Sequence, residues 1–291
     1  MNTLLLHFDR DPAALALARE LEIPHAAIAR HRFPDGEIKL RLPSPVPARA
    51  IVHLSLNDPN QKLVELLLAA ATARQLGATE LILVAPYLAY MRQDMAFAPG
   101  EAVSQTIVGQ FLAQRFDAVI TVDPHLHRTT TLAAAVPAQQ AVALSAASAI
   151  GQFLAARSRD RVLIGPDAEA TQWVEQAARA SGFAFGVCNK IRHGDREVEV
   201  ALPAINLAGR HCVIVDDIAS TGRTIAACAR RLKAHGAAQV DVAVTHALFG
   251  GDALAVLARA GVSEVISTDS IAHPSNRIAL APLLAGAVRA L

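Results

Sequence analysis

Charge is scarce in this sequence, and its two signs nearly cancel. Charged residues make up 18% of the 291 residues, hydrophobic residues make up 53%, and the formal net charge is +1. So little charge among so many apolar residues excludes a disordered chain. The near-zero net charge provides no broad basic surface for a nucleic-acid backbone. We therefore expect a packed protein that does not bind nucleic acid and in which any anion site is a local pocket.

Cysteine and long apolar runs are scarce as well. The three cysteines, Cys188, Cys212 and Cys228, have no CxxC spacing, which indicates reduced, structural residues. The sequence contains no run of eighteen apolar residues, which is about the length that a membrane-spanning helix needs. The opening MNTLLLHFDRDP has too short an apolar run for a signal peptide. These features predict a cytoplasmic protein with no membrane partner.

The abundant residues alternate between two patterns. Short apolar runs such as ELILVAPYL and HCVIVDD are separated by Ala- and Leu-rich segments at helical spacing, which is typical of a parallel sheet with crossover helices. The predicted fold class is α/β, with mostly parallel sheets flanked by helices. Asp11-Pro12 and Ser104 are expected to begin helices, the second over 105–115, and Gly77 and Gly236 are expected to follow helix ends.

The chain also resembles itself. RAIVHLSLNDPNQKLVELLLAAATARQLGATELILVAPY (49–87) parallels RHCVIVDDIASTGRTIAACARRLKAHGAAQVDVAVTHAL (210–248) in order and spacing, and each is followed by a further strand that ends in Asp. A repeat of this length indicates duplicated domains rather than a solenoid. The alternative is chance similarity between Ala-rich helices. The duplication predicts two domains, 1–148 and 149–291.

One loop in the second domain carries the clearest chemistry. In VIVDDIASTGRTI (213–225) a strand ends in two acids and leads through a Ser-Thr-Gly loop into a helix. Asp216 and Asp217 can accept hydrogen bonds from vicinal sugar hydroxyls at the carboxyl end of the strand. The backbone N–H groups of the loop and helix can bind a phosphate. A phosphorylated ribose satisfies both ends, whereas an ordinary capped turn explains only one acid and one hydroxyl. The predicted site comprises Asp216, Asp217, Ser220, Thr221, Gly222, Arg223 and Thr224.

This loop resembles the phosphoribosyl-diphosphate motif that type I phosphoribosyltransferases and ribose-phosphate pyrophosphokinases share. Arg223 stands where the pyrophosphokinases commonly have a small residue. The motif alone does not separate the two families.

Two segments of the first domain are similar to the ATP site of the pyrophosphokinases. FPDGEIKLRLP (33–43) resembles the segment that supplies Phe33, Asp35 and Glu37 to that site. Taken alone, the segment is explained equally well as a Pro-Asp-Gly turn before a strand. YLAYMRQDMAFAPGEAVS (87–104) resembles the segment whose arginine contacts the ATP phosphates, and the resemblance implies that Arg92, Gln93 and Asp94 bind ATP. Permanent charge and a fork of donors suit arginine to that contact.

Further segments resemble the family's metal and catalytic motifs. In TVDPHLHRT (121–129) His125 matches a histidine near ATP and magnesium. His125 and His127 could instead indicate zinc, but no second ligand cluster accompanies them. Asp167 in VLIGPDAEA matches an acid near ribose and metal, although Ala168, Glu169 and Ala170 replace the usual glycine pair.

In NKIRHGD (189–195), Lys190 and Arg192 match the catalytic Lys-x-Arg of the family. Taken alone, the two cations would be an ordinary charged pair in a loop. With STDSIAHPSNRIALAPLLAGA (267–287) matching the closing segment, the resemblance covers nearly the whole chain.

The resemblance implies two type I phosphoribosyltransferase-like domains and a ribose-phosphate diphosphokinase. ATP and ribose 5-phosphate would be its substrates, Mg2+ its cofactor, and a homo-oligomer its assembly. Lys190 and Arg192 would be catalytic, and His125 and Asp167 would bind the metal or its water. The alternatives are a type I phosphoribosyltransferase, which needs no ATP site, and an inactive regulatory homologue, against which the intact Lys190 and Arg192 argue.

Overall fold

The computed structural model describes residues 2–126, 128–158, 160–193 and 197–291, and for 190–193 and 197–200 it describes the backbone alone. The chain forms two compact units. The N-terminal unit comprises Met1–Leu144 together with Leu280–Leu291, and the C-terminal unit comprises Ser145–Ala279.

The N-terminal unit is built on a seven-stranded sheet. Its strands are β1 (Thr3–Phe8), β2 (His25–Arg32), β3 (Ile38–Arg41), β4 (Arg49–His53), β5 (Glu80–Ala85), β6 (Ala118–Val122) and β7 (Gln140–Leu144). The spatial order is β3-β2-β1-β4-β5-β6-β7. Only the edge pair of β2 and β3 is antiparallel; the other pairs are parallel. The helices of this unit are α1 (Pro12–Leu21), α2 (Pro59–Gln75), α3 (Ser104–Ala113), α4 (Leu132–Ala135) and α9 (Ala281–Ala290).

The C-terminal unit has a six-stranded parallel sheet in the order β15-β14-β13-β12-β8-β9. Its strands are β8 (Val162–Gly165), β9 (Ala184–Val187), β12 (His211–Ala219), β13 (Gln239–Ala247), β14 (Val265–Thr268) and β15 (Asn276–Ile278). A separate antiparallel pair joins β10 (Asn189–His193) to β11 (Glu197–Ala201). The helices are α5 (Ala147–Arg157), α6 (Thr171–Ser181), α7 (Arg223–Ala234) and α8 (Ala253–Arg259).

The central strand β12 explains why this sheet is buried on both faces. Ile214 belongs to the core on the α7 side of the sheet, while its neighbours Val213 and Val215 belong to the core on the α5 and α6 side. Successive strand residues point to opposite faces, so a continuous apolar run fits only a strand covered on both sides. The α/β class expected from the sequence is therefore confirmed.

The three cysteines are free and buried. Within the part of the chain that the structure describes, no helix combines the length and the apolar character needed to cross a membrane.

The predicted helix signals are mostly confirmed. The Asp11 side chain accepts hydrogen bonds from the N–H groups of Ala13 and Ala14 at the start of α1, with Pro12 as its first residue. Gly77 and Gly236 adopt positive φ just beyond the ends of α2 and α7. Ser104 is different, because it is the first residue of α3 rather than its cap, and its hydroxyl donates to Gln93. The Ser104 hydroxyl thus binds a side chain of the preceding loop instead of the N–H groups of the first helical turn.

The last helix does not stay with the second repeat. The final segment 280–291, which includes α9, belongs to the N-terminal unit, and the guanidinium of Arg49 donates to the backbone oxygen of Val288. The chain therefore returns to its first unit at its end. A linear comparison of the two repeats could not predict this return.

Two helical glycines of the N-terminal unit provide a test of its packing. A Cβ added to Gly109 in α3 would lie 1.7 Å from the Ala135 backbone oxygen, whereas a Cβ at Gly286 in α9 would meet nothing within 4 Å. We expect Gly109→Ala to destabilise the unit by about 1–3 kcal/mol through overpacking. Gly286→Ala should be neutral or stabilise it by up to about 1 kcal/mol through helix propensity.

Chemical denaturation of the two variants measures the difference. Equal midpoints for Gly109→Ala and Gly286→Ala would contradict this close approach of α3 and α4.

Candidate functional site

The loop after β12 is held from two sides. Its backbone oxygens at Ala219 and Ser220 accept hydrogen bonds from the N–H groups of Phe249 (2.9 Å) and Gly250 (3.1 Å). Gly222 has a φ of +68°, and a Cβ there would lie 3.3 Å from the Leu257 side chain. A glycine therefore suits both the left-handed backbone and the close packing of this turn.

Helix α7 begins directly after this turn. Gly222 is its N-cap residue and provides no side-chain hydrogen bond to the first turn. The first N–H groups of an α-helix have no intrahelical acceptor and carry the positive end of the helix dipole. Thr221 is exposed and Thr224 is partly exposed next to these N–H groups. This end of the helix is therefore suited to bind an anion.

The two acids of β12 lie just before the same turn. Asp217 is buried, Asp216 is partly buried, and the Asp217 N–H donates to Asp216 Oδ1 at 3.0 Å. Burial, followed by the nearby carboxylates of Asp217 and Asp167, raises the pKa of Asp216 well above its ordinary value. The ionised form of Asp216 is thus costly until a cation or hydroxyl donors approach it.

Asp167 reaches this cluster from the neighbouring strand. It follows β8, which pairs with β12, and its carboxylate accepts a hydrogen bond from the Glu169 N–H at 3.1 Å. The residues that replace the usual glycine pair form a single 3-10 turn, Ala168–Ala170, with Asp167 as its cap. The structure thus brings Asp167 to Asp216 without those glycines.

Residues 33–37 form the turn of an antiparallel hairpin in the N-terminal unit, between β2 and β3. The Gly36 N–H donates to the Phe33 backbone oxygen at 3.0 Å, and the Glu37 N–H donates to Asp35 Oδ1 at 3.1 Å. The Phe33 ring is 38% exposed and meets the His31 ring edge-on, with 4.7 Å between centroids. The hairpin therefore presents an aromatic ring and two carboxylates to solvent.

A second segment of the same unit follows β5. Arg92 is exposed, whereas Gln93 and Asp94 already have partners. The Gln93 amide oxygen accepts a hydrogen bond from the Ser104 hydroxyl at 3.0 Å. Both Asp94 oxygens accept hydrogen bonds from Arg128, one from its N–H at 3.1 Å and one from its guanidinium at 3.0 Å. Arg92 is thus the most accessible of the three.

His125 is partly buried in the loop after β6, and His127 lies outside the described residues. In the part of the chain that the structure covers, no group of three or more His, Cys, Asp and Glu side chains could hold a metal ion.

Lys190 and Arg192 lie on β10, where their backbones pair with Val200 and Val198 of β11. Their side chains are outside the part of the chain that is described. The structure thus places both residues on one hairpin strand of the C-terminal unit.

Comparison with known proteins covers almost the whole chain. Residues 7–115 match the family model for the N-terminal domain of ribose phosphate pyrophosphokinase, and residues 128–276 match that for the phosphoribosyl transferase domain. The ribose-phosphate pyrophosphokinase of Methanopyrus kandleri is 37% identical over 94% of each chain. The ribose-phosphate pyrophosphokinase 2 of Archaeoglobus fulgidus is 35% identical over 93% of each chain. This chain belongs to the ribose-phosphate pyrophosphokinase family.

A solved structure extends the match to three dimensions. The crystal structure of phosphoribosylpyrophosphate synthetase from Mycobacterium smegmatis has a TM-score of 0.84 and 27% identity, and the match covers 99% of this chain and 98% of that one. The family and the two phosphoribosyltransferase-like domains expected from the sequence are therefore confirmed.

The sequence of this ribose-phosphate pyrophosphokinase family member did not reveal every residue that shapes the site. Phe249 and Gly250 hold the loop after β12 through backbone N–H groups, which any residue except proline provides. Arg128 and Gln105 bind the segment after β5 over long sequence distances. Neither kind of contact leaves a local sequence signal.

The raised pKa of Asp216 leads to a prediction about stability. The folded protein takes up this proton more readily than the unfolded chain, so the ionised carboxylate destabilises the ligand-free fold above the raised pKa. The penalty disappears as the pH falls through that pKa towards the ordinary value of about 4. Asp216→Asn should therefore raise the thermal denaturation midpoint at neutral pH, and its advantage should shrink in acid.

Asp252→Asn is the matched control, because Asp252 is an exposed acid of the same unit that pairs only with Arg259 among its described contacts. Scanning calorimetry between neutral and mildly acid pH measures both variants. An Asp216→Asn midpoint that tracks the Asp252→Asn midpoint at every pH would contradict the assignment.

Proposed function

We propose that this chain transfers the pyrophosphoryl group of ATP to the 1-hydroxyl of ribose 5-phosphate, giving 5-phosphoribosyl 1-diphosphate and AMP. One observation carries the proposal within this family. Two acids, a glycine turn and an uncapped helix start follow one another at the end of β12, with Asp167 beside them. That order suits a sugar with hydroxyls at one end and a phosphate at the other.

We propose that Asp216 and Asp217 accept hydrogen bonds from the ribose hydroxyls and that the loop and α7 bind the 5-phosphate. The phosphate-binding residues are Ser220, Thr221, Gly222, Arg223 and Thr224. The left-handed turn at Gly222 supports this role because it leads directly into α7, whose first N–H groups have no intrahelical acceptor. The exposed Arg223 adds a positive charge at the first position of α7.

Magnesium is the proposed cofactor. Asp167 is a candidate ligand of the metal or of its bound water in the C-terminal unit, and His125 is a separate candidate in the N-terminal unit. The carboxylates of Asp217 and Asp167 fit such an ion, because together with burial they raise the pKa of Asp216, and a divalent cation would offset that effect. Mg2+ commonly takes one or two carboxylates and completes its shell with water and phosphate oxygens. When bound, it would neutralise phosphate charge that builds during transfer.

The ATP site is proposed in the N-terminal unit. Phe33 offers an exposed ring for the base, and Asp35 and Glu37 lie on the same hairpin turn. Arg92 is exposed after β5 and can bind phosphate oxygens through its fork of donors. Gln93 and Asp94 follow it in the sequence motif of the family.

Lys190 and Arg192 are the proposed catalytic cations. Phosphoryl transfer asks the protein mainly to position its substrates and to stabilise developing negative charge. Two permanent or near-permanent cations on one strand suit that task. We also propose that the enzyme acts in the cytoplasm as a homo-oligomer.

A phosphoribosyltransferase is the alternative activity, because it would use the same acidic loop. The match of residues 7–115 to the pyrophosphokinase N-terminal domain favours the kinase. Incubation with ribose 5-phosphate, ATP and Mg2+ should release AMP and diphosphorylated sugar in equal amounts. Formation of a nucleotide from 5-phosphoribosyl 1-diphosphate and a free base, without that AMP, would overturn the proposal.

Lys190→Ala tests the catalytic cations in the same assay. We expect a loss of about 100- to 1000-fold in kcat with little change in either KM, because the contact strengthens only as charge develops. Arg179→Ala, which removes an exposed arginine from α6, is the control and should be unchanged. A near-normal kcat with a raised KM would show that Lys190 binds substrate in the ground state instead.

The two repeats predict one ribose 5-phosphate site per chain. In the N-terminal unit the loop after β4 leads into α2, whose first residue, Pro59, offers no N–H to a phosphate. The Lys62 ammonium donates to the Ser55 backbone oxygen (2.7 Å) and to the Asn57 amide oxygen (2.8 Å), so the chain's own cation already binds this loop.

Titration calorimetry should therefore give one ribose 5-phosphate per chain. Replacing Asp216 and Asp217 with Ala should abolish binding, whereas Asp58→Ala in the N-terminal loop should change it little. Two equivalent sites, or a loss of binding through Asp58, would contradict the assignment.

A further inference from the structure

Two neighbouring loops of the N-terminal unit carry residues proposed for the nucleotide site. The loop 86–103 follows β5 and carries Arg92, and the loop 123–131 follows β6 and carries His125. Strands β5 and β6 pair in parallel, so both loops leave the same edge of the sheet. Their relative position therefore depends on contacts between the loops themselves.

The first such contact joins Asp94 to Arg128. One carboxylate oxygen accepts from the Arg128 backbone N–H at 3.1 Å and the other from its guanidinium at 3.0 Å. The Asp94 side chain is only 1% exposed. Although desolvation raises its pKa, the hydrogen bonds and charge of Arg128 hold the pKa of Asp94 below the ordinary value. The carboxylate is thus ionised and committed to the other loop.

The second contact passes through Gln105, a buried side chain at the start of α3. Its amide nitrogen donates to the Met91 backbone oxygen at 3.1 Å, and its amide oxygen accepts from the Thr129 hydroxyl at 2.7 Å. Met91 and Thr129 are the immediate neighbours of Arg92 and Arg128. One buried amide therefore fixes both loops next to the Asp94–Arg128 pair.

A carboxylate that binds ATP directly would need a free oxygen near a donor or a metal. Both oxygens of Asp94 instead accept hydrogen bonds from the protein, and an extra negative charge beside the ATP phosphates would repel them. Arg128 neutralises that charge and also places its guanidinium 5.9 Å from the centre of the Phe97 ring. The geometry of Asp94 suits the role of a brace rather than that of a ligand.

We infer that Asp94, Arg128, Gln105 and Thr129 form a two-point latch that positions Arg92 and His125, and that Asp94 is a positioning residue rather than an ATP ligand. This inference rests on the proposed nucleotide site. Breaking the latch leaves the side chains of Arg92 and His125 unchanged but displaces them. Displacement of reacting groups by about 1 Å costs up to roughly 100-fold in rate.

The test compares Asp94→Asn, Arg128→Gln and the double variant in steady-state assays with ATP and ribose 5-phosphate varied in turn. Each single variant should lower kcat/KM for ATP by roughly 10- to 100-fold, while KM for ribose 5-phosphate stays within about twofold because its proposed binding loop belongs to the other unit. The double variant should have about the same kcat/KM for ATP as the less active single variant, because both substitutions break the same pair. Arg128→Lys keeps the charge and should recover part of the loss.

Arg115→Gln is the matched control. Arg115 also lies over a phenylalanine, with its guanidinium 5.2 Å from the centre of the Phe111 ring, but its described contacts include no carboxylate. Its activity should be unchanged. Additive losses in the double variant, or a raised KM for ATP in Asp94→Asn with a normal Arg128→Gln, would overturn the latch and make Asp94 a direct ligand.

Amide exchange separates failure of the latch from failure of the nucleotide site. Arg128→Gln should speed exchange over 91–94 and 128–131 without any substrate, and unchanged exchange would overturn the latch. Arg92→Ala should raise KM for ATP. If the KM for ATP of Arg92→Ala is unchanged while Arg128→Gln still speeds exchange, Arg92 does not bind ATP. The proposed nucleotide site is then wrong, and so is the positioning role of the latch. If Arg92→Ala does raise KM for ATP, and Arg128→Gln has normal kinetics, only the latch is wrong.

Discussion

Parallel strands release all their carboxyl ends at one edge of a sheet, and this constraint places the chemistry of both units. Most of the acids and cations proposed for substrate binding lie near the end of such a strand or in the loop or helix start that follows it. In the C-terminal unit the constraint brings Asp167 from β8 to Asp216 on β12, although the two residues are far apart in sequence. The apolar strands behind them are buried on both faces.

Features that depend on local sequence patterns could be predicted from the sequence. Alternating apolar runs and helical spacing are local patterns, and they predicted the α/β class that the structure confirms. The acidic loop with its glycine is also a local pattern, and the sugar-phosphate site that it indicates stays a prediction. Asp11 with Pro12 and the glycines after α2 and α7 are local as well, and the structure has them where the pattern placed them.

Contacts between distant residues could not be predicted in this way. Asp94 sits in a segment that resembles an ATP motif, yet its charge is matched by Arg128, thirty-four positions later. Ser104 had the pattern of a helix cap, but Gln93 competed for its hydroxyl. The return of α9 to the N-terminal unit depends on packing that no repeat comparison contains. In each instance a tertiary partner outweighed the local preference.

The duplicated units differ most in how they neutralise charge at the edge where their strands end. In the N-terminal unit, Arg30 pairs with Asp9 and with the fully buried Glu65, and Lys62 binds the loop after β4. Arg30 and Lys62 thus meet their acceptors within the chain itself. In the C-terminal unit the pKa of Asp216 is raised mainly by burial and then by the carboxylates of Asp217 and Asp167.

An acidic cluster of that kind is unstable alone and is relieved by a cation or by hydroxyl donors from outside. The two repeats therefore differ in the groups that their acids meet. In the N-terminal unit Arg30 pairs with Asp9 and Glu65, whereas in the C-terminal unit Asp216 lies near further carboxylates that raise its pKa.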